Sequence, residues 1–560
     1  MDVVIRHDLC DDERDYVQKR LQIVCDCLLS HGIDCKPDEV PRVALLGSGG
    51  GERAFISILS VLRQLGEDNL LDCFLYLAGV SGSTWAMSSL YAEPHWSENA
   101  VDTTSKVLRS LSKGEGVTFS DGVQWLMGRH KEGDLSLSDA WGVITCGIKG
   151  VSLETRTFSD EASRDQDGAD PYPLYSAMER TYFDEKEMEE LWFEFSPHEA
   201  GFTEHGAFVK TSLLKQEFEG GRVKYSPNRK PMDMVQLQGI TGCVFGDVKE
   251  IEQHILDWIK SHLPWSQDQA APLTGVLQIV MALVELVEYK HDMDYCHTAL
   301  VRLKSNLGAV CGKLSPTLHD LDYETWTGME DRKRKQHVKN VFGELIASAD
   351  EWGQEWKDLN NKLTDALWVI KHILPLVYEW EVGNVPSFLY HFNDPRVPEE
   401  MCKRHTLHLI DAGLFLNSPY PSVLREAREV DIIVSFDFTE KEPFKTLEGA
   451  KDYADANHIP FPKIDVNEHE RVCPKSFYVF EEEGKPTVIH IPLFNVKNCK
   501  VTSPDEATIK QEWDEYDTFR WTYRDKEKIG HLVDLAAANV NRDDILKEIR
   551  KAAERRKAKH

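Results

Sequence analysis

Gly47-Ser-Gly-Gly-Gly-Glu-Arg53 follows a short apolar run and opens a helical pattern. A loop of this kind turns backbone N–H groups toward an anion, aided by the helix dipole. Three chemistries use it. A phosphate-binding P-loop needs a lysine after its last glycine, and none follows here. A dinucleotide fingerprint needs glycine at the sixth position, where this chain has Glu52. The third use is an oxyanion hole, in which the backbone N–H groups would stabilise charge on a tetrahedral intermediate. A plain tight turn is the alternative.

Gly79-Val-Ser-Gly-Ser83 matches the nucleophile pattern G-x-S-x-G except at its fifth position. A strand ends there, small residues permit a strained turn, and Ser81 is presented at the start of a helix. The competing reading is an N-capping serine, for which Ser81 and Ser83 both qualify. Asp411 follows Leu407-His-Leu-Ile410 and precedes Gly413. Alone it reads as a turn aspartate, but strand ends are where open α/β sheets place their sites. The three features together are more specific than any one.

Positioning them requires a sheet. Val43–Leu46 and Phe74–Ala78 are apolar runs stopped by glycine, and each is followed by a helical pattern, over Ala54–Leu65 and Ser83–Tyr91. A helix is expected earlier, over Asp11–Ser30. Leu407–Ile410 and Val430–Phe436 repeat the strand pattern late in the chain. This alternation predicts an α/β fold, a sheet wrapped in helices. Between the halves, roughly 225–400, lies a helix-rich, tryptophan-rich stretch, expected to be a cap inserted into one catalytic domain covering residues 1–560.

The chain has 560 residues and a formal charge of −29, which argues against a nucleic-acid partner. Residues 541–560 form a basic C-terminal helix or tail, a candidate membrane patch whose bland reading is a solvated helix end. The N-terminus lacks a signal-peptide core, and twelve scattered cysteines without a paired C-x-x-C read as reduced cytoplasmic thiols. No metal site or cofactor is expected. Leu273–Val287 is the most apolar stretch, too short to span a bilayer.

GSGGGER, GVSGSTW and DAGLFLNSPYP resemble the motifs of the cytosolic (group IV) phospholipase A2 family. PFPKIDVNEHER, HIPLFNVKNCK and YDTFRWTY resemble family sequence as well, so the likeness runs from about residue 10 to about 540. It implies a patatin-like catalytic domain with a central mixed sheet and a helix-rich lid. It also implies a serine–aspartate dyad: Ser81 as nucleophile, Asp411 as its base, and Gly50 and Gly51 as oxyanion donors. Arg53 and Arg428 match arginines expected to stabilise the site electrostatically and hold the lipid phosphate. The chemistry implied is hydrolysis of the sn-2 ester of glycerophospholipids through an acyl-serine, with lysophospholipase and transacylase activity as variants. An inactive lipid-binding protein of the same fold is the alternative. The pattern begins almost at Met1, so no calcium-binding C2 domain is expected, as in the gamma type. No EF-hand loop appears, and calcium independence is the expectation. No cysteine stands four from the end, so no prenyl anchor is expected. The expected partner is a phospholipid membrane surface, contacted peripherally from the cytoplasm, with Trp258, Trp265 and Leu273–Val287 as candidate contacts. No histidine is expected to act as base.

Overall fold

Runs of consecutive apolar residues suit strands buried on both faces, and the centre of this protein is built from them. The strands are β1 (Val3–Ile5), β2 (Val43–Gly47), β3 (Tyr76–Gly79), β4 (Tyr172–Glu179), β5 (Trp192–Phe195), β6 (Glu199–Phe202) and β7 (Ala207–Lys210). They continue with β8 (Glu217–Glu219), β9 (Arg222–Lys224), β10 (Asn384–Pro386), β11 (Thr406–Asp411), β12 (Ile432–Asp437), β13 (Tyr478–Phe480) and β14 (Thr487–Pro492). Among the described residues twelve form one sheet, with the path β1-β7-β6-β5-β4-β3-β2-β12-β14-β13. β11 pairs with the far end of β4, and β10 pairs with β11. From β4 to β14 the neighbours are parallel, and the flanks are antiparallel. The sheet is therefore mixed. Every residue of β2, β3, β4, β12 and β14 is buried.

The computed structural model describes residues 1–111, 116–164, 166–180, 191–242, 293–311, 322–330, 381–439, 441–500, 506–517 and 525–559, with scattered positions between 275 and 376. The chain divides into two compact units. The first comprises Met1–Gly116, Trp141–Val244 and Gly383–His560, and it contains the whole sheet. The second comprises Val117–Ala140 and Phe245–Val382.

Three helices of the first unit matter most: α1 (Asp11–Ser30), α2 (Gly51–Glu67) and α3 (Gly82–Leu90). α2 is buried nearly all round, from Gly51 through Leu62. It is covered partly by the helix Lys526–Ala537, whose Val533 carbonyl accepts from Ser60 Oγ at 2.6 Å. The last helix, Arg542–Lys559, buries Ile545, Ile549, Ala552 and Ala553. Its basic residues are tied to the body: Arg556 to Asp431 at 2.6 Å, Arg550 to the Gly32 carbonyl at 2.9 Å, and Arg555 to Glu481.

In the second unit, Thr118 caps the helix Phe119–Glu132, and Gly133 ends it at φ 94. Buried Arg129 on that helix binds Asp139 at 2.8 Å. Trp326 Nε1 donates to the Leu286 carbonyl at 2.8 Å. Within Leu273–Val287, Ile279, Ala282 and Leu286 are buried. Trp258 and Trp265 lie outside the described residues. Among the described residues no helix is long and apolar enough to cross a membrane.

Candidate active site

Adjacent strands β12, β2 and β3 end level with one another: Phe436 pairs with Gly47, and Gly47 with Gly79. Their exits therefore open at one edge of the sheet. The chain leaving β2 forms the glycine loop, and the chain leaving β3 forms the Ser81 turn.

Ser81 precedes the first residue of α3 with φ 54 and ψ −125. A non-glycine residue in the left-handed half of the map costs about 1–3 kcal/mol and needs a surrounding structure that holds it there. The surroundings are close. A Cβ on Gly79 would lie 2.6 Å from Met87 Sδ, and a Cβ on Gly82 would collide with the Gly51 carbonyl. Ser83 Oγ donates to the Ser48 carbonyl at 2.6 Å, and Thr84 Oγ1 donates to the Ser81 carbonyl at 2.6 Å. The elbow and the glycine loop are thus clamped together. Ser81 itself is 1% exposed, and its Oγ has no hydrogen-bond partner. It is no N-cap hydroxyl: its side chain accepts no amide of α3.

The glycine loop is fixed at its start. The amides of Ser48 and Gly49 donate to the carbonyls of Phe436 (3.2 Å) and Asn417 (3.1 Å). The next two residues need glycine, since Gly50 has φ 146 and Gly51 φ 56. Both stand at the N-terminus of α2, where the first amides of a helix have no intrahelical acceptor. Arg53 is the third residue of that helix, 2% exposed. It donates to the Phe438 carbonyl from Nε at 2.8 Å and to the Tyr516 carbonyl from Nη1 at 2.5 Å. A Cβ on Gly50 would sit 2.8 Å from its Nη2, so the guanidinium packs against the loop.

Asp411 reaches the same edge by register. Gly79 pairs with Tyr175 on β4, and Ala177, two residues on, pairs with Asp411 on β11. Ser81 is likewise two residues beyond Gly79. β11 runs antiparallel to β4, so Asp411 is carried to the level of Ser81 by the extension of β4 past its parallel neighbours. Its Oδ1 accepts from the Gly413 amide at 2.8 Å, and its Oδ2 has no hydrogen-bond partner. Burial pushes the carboxyl pKa up to about 7; the Gly413 amide and the nearby Ser81 hydroxyl pull it back only partly. The hydroxyl is thus close enough to be felt without a hydrogen bond formed, as is common before substrate binds.

Asn417 went unselected at the level of sequence, although it stands inside the DAGLFLNSPYP motif. Its Nδ2 donates to the Gly49 carbonyl (3.2 Å) and to Thr439 Oγ1 (3.3 Å), which ties the Asp411 segment to the glycine loop. Lys149 was likewise unmarked. Its buried ammonium donates to Ser88 Oγ (3.1 Å), Ser89 Oγ (2.8 Å) and Gln238 Oε1 (2.6 Å), bracing α3 from behind.

Arg428 is not brought to this edge. It precedes β12, and its guanidinium lies 5.6 Å from the ring of Tyr76, the first residue of β3. Nε binds Glu13 Oε1 at 2.9 Å; Nη1 binds Glu194 Oε2 at 2.9 Å and the Ser422 carbonyl; Nη2 binds Glu13 Oε2 at 3.1 Å and Glu194 Oε1 at 2.9 Å. All five donors are taken and the side chain is fully buried, so none remains for a lipid phosphate. The expectation that it holds the phosphate is corrected accordingly: Arg428 is the hub of a buried ion-pair network. Three histidines have partners of their own. His408 Nδ1 pairs with Asn384 Oδ1 at 2.8 Å, His490 Nε2 with the Pro443 carbonyl at 2.6 Å, and His531 Nε2 with Glu512 at 3.1 Å.

Residues 43–245 match a family described as the lysophospholipase catalytic domain. Among solved structures, human GIVD cytosolic phospholipase A2 superposes with a TM-score of 0.65 at 21% identity, covering 99% of this chain. The same protein in complex with methyl gamma-linolenyl fluorophosphonate gives 0.64. These likenesses show the patatin-like fold, and the chain spans 66% of the length of those structures. Cytosolic phospholipase A2 zeta of Mus musculus is 28% identical over 100% of this chain and 63% of its own length. Cytosolic phospholipase A2 gamma of Homo sapiens is 30% identical over 97% of this chain and 95% of its own length. The mouse gamma protein is also 30% identical, over 97% of this chain and 92% of its own length. With that identity sustained from end to end on one fold, the chain belongs to the cytosolic phospholipase A2 family and is a phospholipase A2 enzyme.

Proposed function

We propose that this chain hydrolyses the sn-2 ester of glycerophospholipids through a two-residue site, Ser81 and Asp411, without calcium. The observation that carries the reading is the pair of buried, unpartnered oxygens, Ser81 Oγ and Asp411 Oδ2, on one sheet edge, one strained and the other on a carboxyl raised to about 7. A base is most useful when its pKa lies near the working pH, and a carboxylate raised from below 4 meets that condition.

Ser81 Oγ attacks the ester carbonyl as Asp411 Oδ2 takes its proton. The oxyanion is received by the Gly50 and Gly51 amides at the positive end of α2. Asp411 returns the proton to the departing lysophospholipid oxygen, and the acyl-Ser81 ester is left. Water, deprotonated by the same carboxylate, releases the fatty acid; a lysolipid entering instead gives transacylation. Arg53 contributes positive charge beside Gly50 and keeps the loop in shape. Residues 225–400 contain most of the second compact unit, for which we propose the cap role. Cytoplasmic residence with peripheral contact at a phospholipid surface completes the reading, supported by the name "cytosolic" carried by the relatives.

A fluorophosphonate probe tests the nucleophile. Mass mapping of the labelled full-length protein is expected to find the adduct on Ser81. Labelling confined to another residue, or product analysis giving cleavage at sn-1 only, would reject the assignment.

A further inference from the structure

At the opposite edge of β3 from Ser81, four donor atoms meet. Cys27 and His31 stand four residues apart at the C-terminal end of α1, and Cys73 lies in the turn leading into β3. The Cys27 and Cys73 sulfurs are 3.3 Å apart. One ligand atom from each of the three residues lies within 4.8 Å of the others. The fourth donor is the Asn69 carbonyl oxygen, 3.3 Å from Cys27 Sγ and 2.7 Å from His31 Nε2. Asn69 has φ 54, in the left-handed region where a non-glycine residue is uncommon.

We propose that Cys27, His31 and Cys73 form a binding site for a thiophilic divalent cation of the Zn²⁺ type, with the Asn69 carbonyl or a water as fourth ligand. Two thiolates, an imidazole and one neutral oxygen are a donor set that suits zinc. The sulfur separation fits as well. Two thiolates on a tetrahedral zinc, with Zn–S bonds of about 2.3 Å, stand about 3.8 Å apart. The observed pair must open by about half an ångström. A disulfide, at about 2.05 Å, would demand a larger closure.

The setting favours a cation. The site lies at the negative end of the α1 dipole, and the last turn of α1 has no basic residue. Cys27 Sγ and His31 Nε2 both face the Asn69 oxygen at hydrogen-bond distance, so the donor atoms already converge on one point. Loading would release the two thiol protons to solvent and shift the imidazole proton from Nε2 to Nδ1, leaving the site neutral overall. Arg542 Nη2 now lies 3.1 Å from His31 Nδ1 and would have to leave. Its side chain is 45% exposed and already 3.3 Å from Asp543 Oδ1, so it has somewhere to go. The other grouping of this kind among the described residues, Cys10, Glu13 and Glu199, offers no such site, because its carboxylates are bound to Arg428 and Arg6.

The metal would pin α1 to the entry of β3 and stabilise the fold without touching the chemistry. The test is a Co²⁺ titration of the reduced full-length protein. One equivalent is expected to bring a thiolate-to-cobalt charge-transfer band, displaced by Zn²⁺. Half-exposed Cys27→Ser should diminish the band and weaken Co²⁺ binding by at least about 10–100-fold, the loss already seen when only a partner of a ligand is removed. Arg542→Ala should tighten binding, because a competing cation is removed. Zn²⁺ should raise Tm in the wild type and raise it less in Cys27→Ser, with ester turnover equal in both. A folded, reduced protein without the band, or a band undiminished in both Cys27→Ser and His31→Gln, would overturn the proposal. So would a Cys27–Cys73 disulfide formed by mild hydroperoxide in a protein that takes up no cobalt; that result would identify a redox dithiol instead.

Discussion

At the scale of the residue, the site depends on two atoms held without partners in a dry place. Ser81→Ala and Asp411→Asn are each expected to cut turnover on mixed micelles by at least about 10²–10⁴, the range for loss of a positioned proton acceptor. His405→Gln, His408→Gln and His490→Gln should each retain most activity; loss in any one folded variant would call for a triad. The raised pKa of Asp411 sets the pH profile, because only the ionised carboxylate accepts a proton. Log kcat/KM should rise with unit slope up to about pH 7 and level off above it. A profile that levels off already near pH 5 would place the base elsewhere. The same shift acts on stability with a definite sign. Between about pH 4 and 7 the folded protein holds a proton that the unfolded chain has lost, so this group makes the fold less stable as pH rises. Asp411→Asn should therefore stabilise the protein against urea at pH 8, by on the order of 1–4 kcal/mol, with the gain vanishing near pH 4.

At the scale of the element, the N-terminus of α2 and the ion pairs under the sheet do different work. Gly51 stands at φ 56, and a β-branched side chain there strains the backbone and turns the amide from its target. Gly51→Val should lower kcat by about 10²–10³ with native circular dichroism, and near-normal turnover would remove these amides from the oxyanion hole. Arg428 lies at the entry of β12 and joins α1 through Glu13 to β5 through Glu194. Burial alone would push the Glu194 carboxyl pKa up; Arg428 and Arg425 more than offset this and hold it low. Arg428→Met would leave Glu13 without its cation and Glu194 with Arg425 alone, and should cost about 3–5 kcal/mol in urea unfolding. The fraction that still folds should keep its fluorophosphonate labelling, since no donor of Arg428 serves the reacting atoms. The C-terminal helix shows why a run of basic residues is a poor guide to a membrane patch. Arg550, Arg555 and Arg556 bind the body of the protein, so their charge is largely used within the fold.

At the scale of the whole molecule, charge and composition bear on how the enzyme meets its substrate. A net charge of −29 opposes long-range attraction to an anionic bilayer, so apolar contact should dominate adsorption and added salt should not weaken it. Activity on phospholipid vesicles should persist in excess chelator, measured as fatty-acid release before and after addition. A requirement for micromolar calcium would contradict the reading. A zinc-type site at Cys27 and Cys73 alters this test in one respect only: prolonged chelation would lower Tm while leaving the initial rate.

Local rules were enough to make several features legible in the sequence. Apolar runs stopped by glycine gave β2 and β3 within a few residues, and helical spacing placed α1 at Asp11–Ser30, where it is found. α2 begins at Gly51, three residues before its apolar pattern, because glycines carry no periodicity. Ser81 and its glycines could be selected because a tight strand-to-helix turn needs small residues in sequence, and such a need is written locally. The antiparallel flank from β4 to β7 and the partnership of β11 with β4 could not be read that way. Strand pairing is a contact between distant segments, and nothing in Leu407–Ile410 specifies its neighbour. The same limit explains Arg428. The family resemblance implied an anion partner for it, but the anions it meets, Glu13 and Glu194, lie hundreds of residues away along the chain. Cys27 lies in the expected helix and His31 just past its end; Cys73 joins them only because α1 packs beside the entry to β3. Sequence determines what each residue can do over a few neighbours. The fold decides which carboxylate stands opposite which hydroxyl or guanidinium, because burial, register and charge pairing exist only once the chain has closed.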